Sequence, residues 1–253
     1  MQSPKNPTRY PLGFTLVELL VTLVMIAALA ALFLLGVSKA KNAADMTTSL
    51  SRIRGFALAN SSYASDHNNR YVSNASWDEN GESLGNWSRN PEFLSYIVGE
   101  SAYQDRDSNT GKLAKVLPEV LLDPVVYRSR QHNWNKICAS YGYVIQGVEP
   151  SGWRQKGMDK FRTIQHVTFP ARSAAFITAK DWNAKYRGRF LWKDNPTEGY
   201  LPTGDIAYRY NGKCLVVFFD GHAESLTMID MKRIDEDKGG AKSHFWDADG
   251  PWE

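Results

Sequence analysis

From Phe14 to Val37 the chain is apolar at almost every position: among these 24 residues Glu18 is the only charged side chain, and no proline occurs. As an α-helix the stretch would be roughly 36 Å long at about 1.5 Å per residue. That is enough to cross a hydrocarbon core of about 30 Å. After Val37 the continuous run becomes periodic. Ala43, Met46, Leu50, Ile53, Ala57 and Ala64 fall at helical spacing, with Lys41, Asp45, Arg52 and Arg54 mostly on other faces. The pattern predicts one long helix whose first half suits lipid and whose second half packs on a folded head. It should end at Asp66-His67-Asn68-Asn69, a cluster that favours turns.

Beyond residue 70 the pattern turns irregular. Asp78-Glu-Asn-Gly81 and Asp107-Ser-Asn-Thr-Gly111 separate short apolar patches, and Pro118 and Pro124 break the patch from Val116 to Val126. Asn90-Pro91-Glu92 ahead of Phe93, Leu94, Tyr96, Ile97 and Val98 predicts a short capped helix. From Ser140 the signals are those of strands. Tyr141 to Ile145, Thr163 to Phe169, Ser173 to Thr178, Arg189 to Trp192 and Ile206 to Tyr210 are short β-branched or aromatic runs between turns. The clearest is Cys214 to Phe219, then Asp220-Gly221, then His222 to Met228, a hairpin whose first strand is apolar on both faces. The expected class is α+β: a long N-terminal helix packed on an antiparallel sheet with long loops.

Composition narrows the functional classes. A net charge of +3 with scattered basic residues gives no argument for nucleic acid. The aromatic content of 12%, with eight tryptophans, belongs to a chain that folds. The histidines His67, His132, His166 and His244 lie in no nucleophile, carboxylate-pair or phosphate-loop motif, so no catalytic role is expected. Cys138 and Cys214 lie beyond the apolar segment. A bridge between them and two separate buried thiols both fit the sequence, and neither has a second cysteine at zinc-ligand spacing.

The polar leader Met1 to Gly13, then Gly13-Phe14-Thr15-Leu16-Val17-Glu18 and the apolar run, resemble the cleavage and methylation signature of type IV prepilins and type II secretion pseudopilins. The resemblance implies cleavage after Gly13 by a membrane prepilin peptidase, methylation of Phe14, and Glu18 as fifth residue of the mature chain. A carboxylate is costly in lipid, and so is an amino terminus. Pairing lowers their joint cost, within a subunit or between neighbours in a filament. A secretory signal peptide with cleavage near Ala28-Leu-Ala30 is disfavoured by Glu18 inside its apolar core. A plain signal anchor would share Lys5 and Arg9 on the cytoplasmic side.

The similarity extends to a bacterial branch of pseudopilin-like proteins through Ser38-Lys-Ala-Lys41 and Tyr63-Ala-Ser-Asp-His-Asn-Asn-Arg-Tyr71. That branch carries a C-terminal His, nine residues, then Asp-Gly. Here Tyr210 stands where the histidine would be, and Leu35-Gly36 replaces a proline that many members have. Gly36 weakens the helix by about 1 kcal/mol relative to alanine and leaves room for a local bend.

Two further features invite metal chemistry. Asp220, His222 and Glu224 alternate along the hairpin, but only His222 and Glu224 would share a strand face. The acidic pieces Asp235-Glu-Asp237 and Asp247-Ala-Asp249-Gly250 do not complete a calcium loop with its distal Glu. No cofactor is therefore expected, with calcium as the single alternative. The expected segments are a leader at 1–13, a transmembrane or filament-core helix at 14–37, its continuation on the head at 38–66 and a loop-rich β head at 67–253. The leading reading is a structural pilin-like or pseudopilin subunit of the bacterial inner membrane, with an extracytoplasmic head and other such subunits as partners. The alternative is a membrane-anchored binding module for carbohydrate or another surface polymer. Trp77, Trp87, Trp134, Trp153, Trp182 and Trp192 motivate it, because exposed aromatic faces suit sugar stacking.

Overall fold

The computed structural model describes residues 14–77, 83–99, 119–128, 137, 139–144, 162–192, 204–237, 240 and 243–246. The chain divides into two compact units, Met1–Ala44 and Asp45–Glu253. The first helix, α1, covers Leu16–Asp66 and so contributes to both. In the first unit its described side chains from Phe14 to Lys41 are all exposed, as an apolar helix lacking a protein partner must be. Helical structure continues through Gly36, and a Cβ there would meet no atom within 4 Å.

In the second unit α1 is amphipathic. Ser49, Ile53, Phe56, Ala57, Asn60 and Ala64 are buried at steps of three, four and one, which places them on one helical face. The helix stops where expected, and the stop has a backbone cause. Asn68 and Asn69 take left-handed φ values of 52° and 62°, and the Asn69 N–H closes on the Ala64 carbonyl at 2.9 Å. Next come β1 (Ala75–Trp77) and β2 (Ser83–Asn86), a two-stranded antiparallel pair that the sequence pattern did not show. Then α2 (Pro91–Val98) begins as predicted: the Asn90 side chain accepts the Phe93 N–H at 3.1 Å, and proline occupies the first turn. The patch divided by Pro118 and Pro124 forms a 3₁₀ turn at Glu119–Leu121 and a single helical turn, α3 (Pro124–Tyr127).

The main sheet contains β3 (Tyr141–Val144), β4 (Ala174–Thr178), β5 (Asn183–Ala184), β6 (Lys213–Phe218) and β7 (Ala223–Thr227), in the order β5-β3-β4-β6-β7. It is mixed, which corrects the expectation of an antiparallel sheet. β3, β4, β6 and β7 pair antiparallel in turn, whereas β5 lies parallel to β3. After β4 the chain crosses the end of β3 in four residues, Ala179–Trp182, and returns along its far side. Gly142 permits this passage, since a Cβ there would lie 2.8 Å from the Asn183 carbonyl carbon.

Alternation along the strands sends residues to two cores. Phe176, Val217 and Phe219 join Phe56, Trp87, Phe93, Tyr141 and Tyr143 on the face that receives α1 and α2. Ile177, Val216, Phe218 and Cys214 join Tyr208, Met231, Phe245 and Trp246 on the other. The run 214–219 is thus an interior strand buried on both faces, as its composition implied.

Three strand expectations are overturned. Thr163 to Phe169 contains a 3₁₀ turn at Ile164–His166, where the Val167 N–H bonds back to the Ile164 carbonyl at 3.3 Å instead of to a partner strand. Arg189 to Trp192 follows from a 3₁₀ segment, Tyr186–Phe190, in which Gly188 lies against the backbone of Gly204. Ile206 to Tyr210 makes only isolated bridges, Ala179 with Ile206 and Tyr210 with Lys213. Conversely α4 (Met228–Asp237) was not foreseen, and Asp235, Glu236 and Asp237 form its last turn, not a loop.

Candidate processing and assembly site

At the start of α1, Thr15 and Glu18 satisfy one another. The Thr15 backbone N–H donates to Glu18 Oε2 at 2.9 Å and the Thr15 hydroxyl donates to the same oxygen at 2.8 Å. In return the Glu18 N–H donates to Thr15 Oγ1 at 3.2 Å. This is a capping box: donors left over at a helix start are taken up by side chains three positions apart in the Thr-x-x-Glu pattern. A negative charge in the first turn is also favourable to the helix dipole. The same four residues, Thr15-Leu-Val-Glu18, carry both this capping signal and the processing motif. The same device recurs at α4, where Thr227 N–H and Oγ1–H donate to Asp230 Oδ2 at 2.9 and 2.7 Å and the Asp230 N–H returns to Thr227 Oγ1 at 3.2 Å. These hydrogen bonds hold the Asp230 carboxyl below its usual range.

Phe14 is 75% exposed, directly before the capping box. Gly13 lies outside the described residues. The apolar stretch that follows makes α1 the one helix, among the described residues, long and apolar enough to cross a membrane. Residues 9–34 match the prokaryotic N-terminal methylation motif. The chain carries a prepilin-type signature. The match covers the N-terminal segment alone, and no curated protein and no solved structure matches the chain. A long apolar N-terminal helix with a mixed five-stranded sheet in the C-terminal part is a pilin-like α+β architecture.

The other sequence candidates resolve differently. Tyr210, in place of the branch's histidine, is part of a buried polar network. Its hydroxyl donates to Asp123 Oδ2 at 2.7 Å, the same oxygen accepts the Ser49 hydroxyl of α1 at 2.9 Å, and Tyr141 OH lies 3.1 Å from Ser49 Oγ. Asp123 Oδ1 caps α3 by accepting the Val125 N–H at 2.9 Å, while the Asp123 N–H donates to Ser140 Oγ at 3.0 Å. Asp123 is fully buried. Burial, and then the charge of Asp123, push both tyrosine hydroxyls well above their usual range, so they remain neutral donors. The cap of Asp123 on α3 is local, but its network is not legible in the sequence, because Ser140, Ser49 and Tyr210 are 17, 74 and 87 positions away.

At the hairpin, His222 Nδ1 is 2.6 Å from Asp220 Oδ1 and its ring stacks on Phe218, with Glu224 Oε1 3.5 Å from Nε2. Among the described residues no three of His, Cys, Asp and Glu converge as a metal-binding group. Cys214 is a buried free thiol whose Sγ–H points to the Leu226 carbonyl at 3.4 Å, and burial raises its pKa. Cys138 lies outside the described residues, as do Trp134, Trp153, Asp247 and Asp249. Of the tryptophans that motivated a sugar platform, Trp87 is fully buried and its indole N–H donates to the Trp182 carbonyl. Trp182 and Trp192 are partly buried against the two cores.

Proposed function

We propose that this chain is the precursor of a filament subunit of the type IV pilin or type II secretion pseudopilin kind. Prepilin peptidase cuts between Gly13 and Phe14, Phe14 is methylated, and residues 14–37 lie in the bacterial inner membrane until they enter a filament core beside other pilin-like subunits. The leader faces the cytoplasm and residues 45–253 lie on the opposite side. The protein's work on this reading is helix packing, not catalysis.

The observation that carries the reading is Glu18. It is the lone charge in a stretch exposed all round, and two hydrogen bonds to its carboxylate, both from Thr15, enter through Oε2. The capping box thus holds the carboxylate next to position 14 while leaving Oε1 to receive the new amino terminus, its own or a neighbour's. A charge kept in lipid without a partner would be selected against on cost alone, by roughly 2.5 to 3.5 kcal/mol for an acidic residue at a membrane centre and less near the surface.

Co-expression with a prepilin peptidase, followed by mass spectrometry of the mature chain, tests it. A methylated Phe14 terminus is the expected product. An intact leader, or cleavage near Ala30, would refute the proposal.

A further inference from the structure

Within the second unit the two ends of the main sheet are distinct. At one end α1 enters: Ser49 Oγ lies 3.1 Å from Tyr141 OH at the start of β3, and the Asp45 carboxylate pairs with Arg128. At the other, beyond the last turn of α1, Tyr71 packs on Phe219 with ring centroids 4.8 Å apart. Arg209 belongs to the entry end, where it donates to the Ser140 carbonyl at 3.3 Å and to the Ala179 carbonyl at 2.8 Å. The Trp192 ring lies 4.7 Å from Lys180 Nζ and 5.9 Å from the Arg209 guanidinium carbon. The segment from Tyr186 to Trp192 thus finishes where α1 arrives.

That segment presents apolar and basic side chains from a pinned backbone. The Gly188 carbonyl accepts the Ile206 N–H at 3.3 Å, a Cβ on Gly188 would lie 2.2 Å from the Gly204 carbonyl oxygen, and the Tyr208 hydroxyl donates to the Arg189 carbonyl at 2.9 Å. Held in this way, Phe190 is 42% and Leu191 52% exposed, with Arg187 exposed close by in the chain. The Arg189 guanidinium carbon is 4.4 Å from the Phe190 ring centroid, which keeps a cation against the exposed ring. From Lys180 to Trp192 the basic residues are Lys180, Lys185, Arg187 and Arg189, and the acidic one is Asp181. Asp181 is 1% exposed, accepts the Trp182 N–H at 2.7 Å and the Gly204 N–H, and burial raises its pKa to about 7. It therefore offsets little of the positive charge at the surface, and neighbouring Asp205 is buried too.

Exposed apolar side chains beside arginine suit an anionic bilayer surface better than a free polyanion. A polyanion would engage the cations but leave Phe190 and Leu191 in water. Lipid takes both, since apolar groups enter the boundary of headgroups and acyl chains while cations meet phosphate. A bilayer is also at hand. Residues 38–44 alone separate the apolar run from Asp45, and Lys39 and Lys41 among them are exposed. So short a tether raises the effective concentration of lipid at the entry end. We propose that Phe190, Leu191 and Arg187 form an interfacial foot that rests the head on an anionic lipid surface while the subunit is held in the membrane. The foot rests on the reading that residues 14–37 span a bilayer, and not on processing at Gly13 or on assembly.

The test places the photocrosslinker p-benzoylphenylalanine at position 190 of the full chain in vesicles of phosphatidylcholine with phosphatidylglycerol, and mass spectrometry identifies what it captures. A phospholipid adduct is expected at 190. The same probe at Asp220, in the turn after Phe219 at the far end, should capture none. Arg187→Gln should lower the yield at 190 about fivefold, the effect of one cation near an anionic surface, and vesicles of phosphatidylcholine alone should lower it further. No lipid adduct at 190, a crosslink there to a second copy of the chain, equal capture at Asp220, or equal yields in the two lipids would each overturn the proposal. Carbonate extraction of the same vesicles reports on the span separately: a chain retained without an adduct refutes the foot alone, and a chain released refutes both. If the probe at 190 prevents folding, as read by far-UV circular dichroism, position 191 carries it with the same expectations.

Discussion

Removing the hydroxyl of Tyr210 probes the buried network most cleanly, because Tyr210→Phe changes one donor and almost no volume. The hydroxyl is held at 2.7 Å from Asp123 Oδ2, and both residues are buried to within 1%. A hydrogen bond to a charged group contributes about 1.5–3 kcal/mol, so Tyr210→Phe should destabilise the fold by about that amount. Asp123→Ala removes more. It strands the Ser49 and Tyr210 hydroxyls together and deletes the cap on α3, itself worth about 0.5–2 kcal/mol. About 3–6 kcal/mol is expected, less than a plain sum because the groups act as a unit. Urea unfolding of the detergent-solubilised chain, followed by tryptophan fluorescence, measures both. A double-mutant cycle of Ser49→Ala with Tyr210→Phe should show a coupling of at least about 0.5 kcal/mol through the shared oxygen. Additive single effects, or an Asp123→Ala cost no larger than that of Tyr210→Phe, would refute the claim that one carboxyl joins α1, α3 and the strand region.

Glu18→Ala should still insert into the membrane yet assemble poorly, as judged by crosslinking between subunits; normal assembly would show that charge pairing is not needed. Phe56→Ala opens a cavity among Trp87, Phe93, Tyr141 and Phe176, whose ring centroids lie 5.2–6.5 Å from that of Phe56. It should cost about 3–5 kcal/mol in the same urea assay. The raised Asp181 pKa makes its contribution to stability fullest below the ordinary carboxylate value of 3.8 and progressively lost as pH rises to about 7. A melting temperature that falls over this window in the parent but less in Asp181→Asn is the expected outcome, and equal slopes would contradict it. Thr227→Ala breaks the α4 capping box and should lower stability by about 0.5–2 kcal/mol, with hydrogen exchange faster in residues 228–231 than elsewhere in the helix.

What the sequence determined by itself was whatever depends on neighbours along the chain. The uncharged run after Glu18 and the three- and four-residue spacing beyond it specify a helix down to Asp66, and the two asparagines stop it because they tolerate a left-handed backbone. Asn90 and Pro91 start α2, and Asp220-Gly221 turns β6 into β7, for equally local reasons. The processing signature is legible because a peptidase reads a linear motif. Two further local signals, Thr15-x-x-Glu18 and Thr227-x-x-Asp230, were there to be read as capping boxes.

Tertiary structure decided the remainder, since it depends on which distant residues meet. Thr163–Phe169 and Ile206–Tyr210 have the composition of strands, but strand pairing needs a partner with free hydrogen-bonding groups, and theirs went to turns and single bridges. The parallel placement of β5 rests on a four-residue crossover that only Gly142 admits. Asp123, Tyr210 and Ser49 come from three separate segments of the chain, as do Asp181 and Gly204 from two, and no spacing in the sequence brings them together. A short linear pattern records what a membrane peptidase recognises, whereas a buried carboxyl acquires its role only when folding removes water and supplies its partners.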